Sequence, residues 1–238
     1  MKIHKKAGLA AGVVAAVTML IAPAAFATNT LSVNGVTTGG TSPVTGALPT
    51  GGTIGFVTDF GVPASCTTAA VAGTVTKGAS VTAGSQIGAI NSLTFGSSSS
   101  LCDATGLHYP VIIEKSNKVG APASWGIFVK TTPAKGATTV PIEIRNVTAK
   151  LHSTNTTGNW ACDLEAKGTV PGVFNQSTQQ IIITPTAGSY PLDITAFDGT
   201  KTNTEGAGIT CGGEIYSTDF AQMTGTFNLT STGTGIHF

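Results

Sequence analysis

The sequence predicts an all-β fold, an antiparallel β-sandwich or barrel stapled by disulfides. Segments rich in β-branched residues alternate with Gly, Pro, Asn and Asp along the chain, which is the pattern of short strands joined by turns. After residue 27, no segment sustains the 3.6-residue apolar period of an amphipathic helix. Strands without intervening helices pair antiparallel, and an even number of cysteines adds the disulfides.

Eleven segments carry the strand signal. Each is a run of apolar or β-branched residues bounded by turn residues. In order they are 53–59, 69–76, 86–95, 109–114, 125–130, 139–151, 160–170, 179–184, 191–197, 213–218 and 222–231. They fill a single predicted β domain over residues 53–238.

The sixth segment shows its alternation most clearly. Val140, Ile142 and Ile144 share one face of the strand, whereas Val147, Ala149 and Leu151 share the other. The apolar face therefore changes sides midway. Because one extra residue flips every later side chain, the pattern predicts a bulge near residues 145–147.

The residues ahead of the domain have a different composition. Residues 31–52 contain five threonines, six glycines and two prolines. This mixture favours turns and exposed connections. We therefore expect an exposed, loosely ordered lead-in over residues 28–52.

The first 27 residues have the pattern of a secretory signal peptide. Lys2, Lys5 and Lys6 precede an apolar run over residues 7–26, and the segment closes on an Ala-x-Ala motif that ends at Ala27. This order predicts cleavage after Ala27 and a secreted protein, extracellular or associated with the cell envelope. An uncleaved anchor is the alternative, since twenty apolar residues suffice to span a bilayer.

Charge excludes one class of partner. Charged residues make up 10% of the chain, and removal of the three signal lysines leaves nine basic residues against eleven acidic ones, a formal net charge of about −2. A basic field for binding nucleic acid is therefore missing.

The four cysteines predict two disulfides. Cys66, Cys102, Cys162 and Cys211 lie at least 36 positions apart, whereas zinc ligands usually come in close pairs. Neither a metal site nor a cofactor site is expected. Three connectivities are possible, of which we favour Cys66 with Cys102 and Cys162 with Cys211.

This pairing depends on a local repeat. Cys66 is followed by Gly73-Thr74-Val75, and Cys162 is followed at nearly the same distance by Gly168-Thr169-Val170. The repeat suggests two related halves, about 53–115 and 125–238, each with its own bridge.

Catalytic patterns are weak. The histidines His108, His152 and His237 lie in no recognisable motif, and a G-x-S-x-G elbow is missing. Glu165 and Lys167 share a strand face with Asp163, which favours a solvated ladder. We therefore expect no catalytic residues. A hydrolase would instead bring two or more of a small set of residues together in one cleft, namely His108, His152, Asp103, Glu143 and Asp219.

Two tryptophans are candidate ligand contacts. Trp125 and Trp160 each begin a predicted strand beside Gly or Asn, where an exposed ring would suit a carbohydrate or an envelope component. Core packing is the alternative role for both.

The end of the chain raises the alternative of a pore. The terminal Phe238 follows Ile236 at a spacing of two, an ending seen in outer-envelope pore-forming barrels, which carry an apolar band outside.

The layout resembles a group of small secreted actinobacterial β-rich proteins of unknown function. The resemblance supports secretion and a β fold, and it implies no catalytic residues. It rests on Ala64-Ser65-Cys66-Thr67-Thr68, Gly73-Thr74-Val75, Ile87-Gly88-Ala89-Ile90, Leu93-Thr94-Phe95 and Ile209-Thr210-Cys211-Gly212.

Together these features predict a secreted, non-catalytic binding or structural protein of the cell envelope or the medium. A pore-forming barrel and a secreted hydrolase are the alternatives. The nature of the partner stays open.

Overall fold

Within the described residues, the chain forms sixteen strands and no helix. A computed structural model describes residues 29–61, 63–97, 100–103, 111–115, 121–153, 162–198, 210–211, 215–216, 219–231 and 235–238. The strands are β1 (Ser32–Val33), β2 (Thr41–Ala47), β3 (Ile54–Thr58), β4 (Pro63–Cys66), β5 (Ala69–Thr76), β6 (Gln86–Phe95), β7 (Val111–Lys115), β8 (Trp125–Val129), β9 (Thr139–Ser153), β10 (Cys162–Asn175), β11 (Gln180–Ile183), β12 (Leu192–Asp198), β13 (Thr210–Cys211), β14 (Ile215–Tyr216), β15 (Phe220–Ser231) and β16 (Ile236–His237).

Eight strands close into an antiparallel barrel, which confirms the predicted fold class. The ring runs β2, β5, β6, β8, β9, β10, β11 and β15, and β15 pairs back onto β2. Closure satisfies the backbone groups that an open sheet would leave unpaired at its edges. The ring takes strands from both predicted halves.

Four long strands, β6, β9, β10 and β15, extend the barrel beyond this ring. There β7 takes the place of β8 between β6 and β9, and β12 takes the place of β11 between β10 and β15. On the other side of β15, β3 follows β2 and carries β4 at its edge. The structure therefore has two stacked halves, the closed ring and a second set of strands above it. The two halves share β6, β9, β10 and β15.

The predicted bulge in β9 is confirmed. Val147 pairs with Gly168 and Ile144 pairs with Val170, so that Arg145 and Asn146 together face one residue of β10. Asn146 has a φ of 60°. The bulge keeps Ile144 and Val147 both buried, which is the change of face that the sequence pattern required.

The expected loose lead-in over residues 28–52 is wrong, because this segment supplies β2. Seven residues, Thr41–Ala47, pair with β5 on one side and four of them pair with β15 on the other. Val44 is buried on the inner side, while Thr45 is exposed. Backbone hydrogen bonds to two neighbours hold a strand whose side chains gave no strong signal.

The first and last of the described strands close one end of the barrel, here called the plug end. β1 pairs with β16, and Leu31, Val33 and Ile236 are buried there. The Gln179 side chain donates to the Ile236 carbonyl at 2.9 Å and accepts from the Ile236 N–H at 2.8 Å. An amide side chain thus replaces a strand partner for the last residues of the chain.

The interior is an apolar core. Phe95 lies where the two halves meet, with ring centroids 5.6 Å from Phe56 and 5.9 Å from Phe227. One cavity of about 50 Å³ lies beside Trp125 and Met223. Ligand sites measure roughly 300–1,000 Å³, so this space is a packing defect.

The repeated Gly-Thr-Val stretches share a structural role. Gly73 and Gly168 each lie at a shift of strand register. A Cβ atom on Gly73 would collide with the Ala89 carbonyl oxygen, and one on Gly168 would collide with the Pro191 carbonyl oxygen. Glycine at both positions therefore permits the close approach of the neighbouring backbone.

One predicted disulfide is confirmed, between Cys66 and Cys102. It ties β4 to the segment that follows β6, where Ser65 and Asp103 exchange backbone hydrogen bonds of 2.6 and 2.7 Å. Cys162 and Cys211 begin and end strands whose backbones are described, while their side chains lie outside the described part. Their pairing stays a prediction.

Removing the Cys66–Cys102 bridge should destabilise the barrel without dissolving it. The bridge spans 36 residues, for which loop-closure entropy gives about 4 kcal/mol. In the C66A/C102A variant we expect the free energy of unfolding, measured by urea titration, to fall by about 2–4 kcal/mol with the β-type circular dichroism kept. An unchanged urea midpoint would show that the bridge does not contribute to the free energy of unfolding.

Gly73→Ala should be far more disruptive than Gly46→Ala. The added methyl group at Gly73 meets rigid backbone, whereas at Gly46 its nearest contact is the Leu229 side chain at 3.3 Å. We expect G73A to lower the free energy of unfolding by about 1–3 kcal/mol and G46A to change it by less than about 1 kcal/mol. Equal losses in thermal or urea unfolding would contradict the close-approach role.

Candidate functional site

The end of the barrel opposite the plug end is here called the loop end. The strand ends that flank residues 96–110, 154–161 and 199–219 lie there, together with the β3–β4 turn. Loops on a rigid scaffold are where binding residues concentrate. The described residues of this end are therefore the first place to look for a site.

Two phenylalanines are exposed at the loop end. Phe60, in the β3–β4 turn, is 73% exposed, and Phe220, at the start of β15, is 43% exposed. The third large apolar side chain exposed in the described part, Val36, lies at the plug end. Exposed aromatic side chains that meet at one place on a surface mark contact sites more often than isolated ones do.

Asp59 joins the two phenylalanines. Its backbone N–H donates to the Phe220 carbonyl at 2.9 Å, and its Oδ1 atom accepts from the Phe220 N–H at 3.1 Å. The Gly61 N–H closes the following turn on the Thr58 carbonyl. These bonds extend the β3–β15 ladder by one step. They also hold in place the turn that carries Phe60, the residue after Asp59.

A second carboxylate flanks Phe220 on the other side. Asp193 of β12 is the cross-strand partner of Phe220 and is exposed. Directly paired residues share a face of the sheet, so Asp193, Phe220 and Asp59 form a row across three strands. We call Asp59, Phe60, Asp193 and Phe220 the rim.

The next residue of this row is Lys167, the partner of Asp193 on β10. Its Nζ atom lies 3.4 Å from Glu165 Oε2, and Glu165 is only 2% exposed. The expectation of a solvated ladder is therefore wrong for Glu165, whose side chain is buried on the outer face of β10. Glu165 draws Lys167 along its own strand instead of toward Asp193.

Of the two candidate ligand-contact tryptophans, the structure describes one, and it is buried. Trp125 is fully buried and its Nε1 donates to Thr148 Oγ1 at 3.3 Å. It fills the place where β8 and β7 separate along β6 and β9, and its ring does not reach the outer surface. Trp160 lies outside the described residues.

The structure does not gather the hydrolase candidates in the part it describes. Glu143 lies on the outer wall of β9, Asp219 is buried just before β15, and Asp103 pairs with Ser65. His108 and the His152 side chain are outside the described part. Among the described residues there is also no group of three potential metal ligands.

Arg145 lies on the outer face of β9 with Glu143, two residues before it, and belongs to a small cluster of charged and aromatic side chains. Its guanidinium group binds Glu143 Oε2 at 3.0 and 3.1 Å and lies 4.4 Å from the Phe128 ring centroid. Lys130 approaches Glu143 at 3.8 Å. One carboxylate is thus shared by two cations, and because Glu143 and the Phe128 ring both engage Arg145, this cluster offers a partner less than the rim does.

The two faces of β15 differ in polarity. Along β15, Met223 and Phe227 are buried, and Thr224 and Asn228 are exposed. An outer-membrane pore has the reverse arrangement, with apolar residues outside and polar residues lining the lumen. No segment of the described part is a helix with the length and apolarity needed to cross a membrane.

Comparison of the chain with protein-family models, with curated proteins and with solved structures found no match. The class that fold and site define is therefore an eight-stranded, disulfide-linked antiparallel barrel with an exposed aromatic and acidic rim.

Sequence reasoning missed all four rim residues. One signal was present, because Asp59-Phe60-Gly61 places a large aromatic residue in a turn between two strands. Turns favour small and polar residues, so an aromatic residue there indicates a contact. Asp193 and Phe220 gave no signal, since their pairing depends on long-range register.

Asp59 should act on Phe220 as a hydrogen-bond acceptor. Asp59→Ala removes that acceptor and Asp59→Asn keeps it. In D59A we expect amide hydrogen exchange at Phe220 to accelerate about fivefold, equivalent to about 1 kcal/mol, and in D59N to stay near the wild-type rate. Identical exchange rates in both variants, measured by NMR, would show that the Asp59 side chain does not protect the Phe220 N–H.

Proposed function

We propose that this chain is a secreted, non-catalytic protein that binds a partner at the cell envelope or in the medium through the rim. The observation that carries the proposal is the exposure of Phe60 and Phe220 at the loop end, where hydrogen bonds join Asp59, the neighbour of Phe60 in the chain, to the Phe220 backbone. Aromatic anchors dominate the binding energy of protein contact surfaces. Apolar area left in water is unfavourable, and its burial against a partner lowers the free energy.

Secretion is supported by the signal pattern that ends at Ala27 and by the Cys66–Cys102 bridge. Disulfides form and persist mainly in oxidising compartments outside the cytoplasm. The same bridge anchors β4, the strand that follows the Phe60 turn. A rim held on a cross-linked scaffold loses little conformational entropy on binding.

Binding is favoured over the two alternatives by what the barrel wall and interior contain. The polar outer positions of β15 and the apolar interior are the inverse of a pore. A hydrolase would need acid and base groups in one cleft, and the described carboxylates Glu143 and Asp219 lie in different parts of the barrel.

The test compares envelope binding by the wild-type protein and the variants F60S/F220S and V36S, each secreted from the full-length gene. V36S is the matched control, because Val36 is 44% exposed at the plug end. Loss of two aromatic anchors should weaken saturable binding to isolated envelopes or to a macromolecule of the medium at least tenfold. V36S should bind as the wild type does.

Equal binding by all three proteins would mean that the rim is not the contact surface. Saturable binding to neither envelopes nor medium would overturn the binding function itself. Thermal unfolding of each variant serves as the folding control, and exposed positions are expected to shift the free energy of unfolding by only about 0.5 kcal/mol.

A further inference from the structure

The rim combines exposed aromatic surface with negative charge. Asp59 and Asp193 lie on either side of Phe220, on the strands that neighbour β15. Neighbouring strands are about 4.8 Å apart, so the two aspartates are separated by roughly 10 Å with the Phe220 side chain between them. Each flanking carboxylate is exposed.

Neither carboxylate is neutralised by an ion pair in the part of the chain that the structure describes. The ion pairs of the described residues leave Asp59 and Asp193 out. The nearest cation in the row, Lys167, is engaged by the buried Glu165 at 3.4 Å. Glu165 therefore acts as a positioning residue that keeps the Lys167 charge away from Asp193.

We propose that the rim docks a cationic, extended segment of a partner protein, with an arginine or lysine side chain lying on the Phe220 ring between Asp59 and Asp193. This inference rests on the proposed function and adds the chemistry of the partner. The negative face of an aromatic ring attracts a cation within about 6 Å of its centroid. The carboxylates supply charge-assisted hydrogen bonds, for which the planar guanidinium group is well shaped.

Phe60 extends the docking surface beyond the cation. Its ring is the most exposed large apolar side chain of the described part and continues the chain from Asp59. It would cover an apolar residue next to the cationic one. An anionic lipid surface is a poorer match, because the two aspartates would face its negative charge.

The experiment measures binding of two peptides to the secreted protein by NMR titration. The first is Ac-Ala-Arg-Leu-Arg-Ala-NH₂, and the second replaces both arginines by citrulline, which keeps the shape and removes the charge. We expect the arginine peptide to shift the amide signals of Phe220 and Asp193 and to bind at least fivefold more tightly than the citrulline peptide. Equal affinities would overturn the proposal.

The matched variants are D59N/D193N, which keeps the acceptor for the Phe220 N–H and removes both charges, and E143Q, which removes a charge from the distant outer wall. D59N/D193N should lower affinity for the arginine peptide at least tenfold, and E143Q by less than twofold. In E165Q, Lys167 is free to reach Asp193, and an intermediate loss is expected. An unchanged affinity in D59N/D193N would overturn the cationic partner.

Failure of this inference is distinguishable from failure of the proposed function. If F60S/F220S loses envelope binding while D59N/D193N keeps it, the rim is a contact surface for an apolar partner and the cationic segment is wrong. If F60S/F220S keeps envelope binding, the function of the rim falls as well.

Discussion

Backbone hydrogen bonding around a closed ring is the constraint on which this structure depends. β15 carries most of it, because it pairs with β2 and β3 on one side and with β11 and β12 on the other. A chain with 31 glycines and only 6% aromatic residues has few large side chains for a core. Closure compensates, since it leaves no ring strand with an unpaired edge and encloses the apolar side chains that the chain does have. The plug end, the stacked halves and the rim all depend on where β15 begins and ends.

Closure also explains the irregular positions. A barrel wall must bend, and bulges and glycines are the devices that bend it. The β9 bulge at Asn146 keeps both Ile144 and Val147 in the core. At the loop end, the last acceptor of the β3–β15 ladder is the Asp59 side chain and not a backbone carbonyl. A carboxylate is therefore placed next to the exposed residue Phe220. The rim is thus a direct product of how the ladder terminates.

Much of the fold could be predicted from sequence because it is written in local alternation. The segments 69–76 and 86–95 coincide with β5 and β6, and the bulge near residues 145–147 follows from a single change of apolar face. β2 could not be predicted, because it is held by backbone pairing while its Thr, Gly and Pro content resembles a connection. The site was less accessible still. Asp193 and Phe220 become neighbours only through the register of β12 and β15, and the burial of Trp125 depends on the gap between β7 and β8.

The most direct test of this account is the amide hydrogen exchange of β2, the strand that closes the ring and that composition alone would assign to a loose lead-in. If β15 and β5 hold it as described, the β2 amides will exchange only through global unfolding, with the same free energy as amides in the middle of β9. Exchange of β2 at the rate of an unstructured peptide, while β9 stays protected, would mean that the barrel is open between β15 and β5.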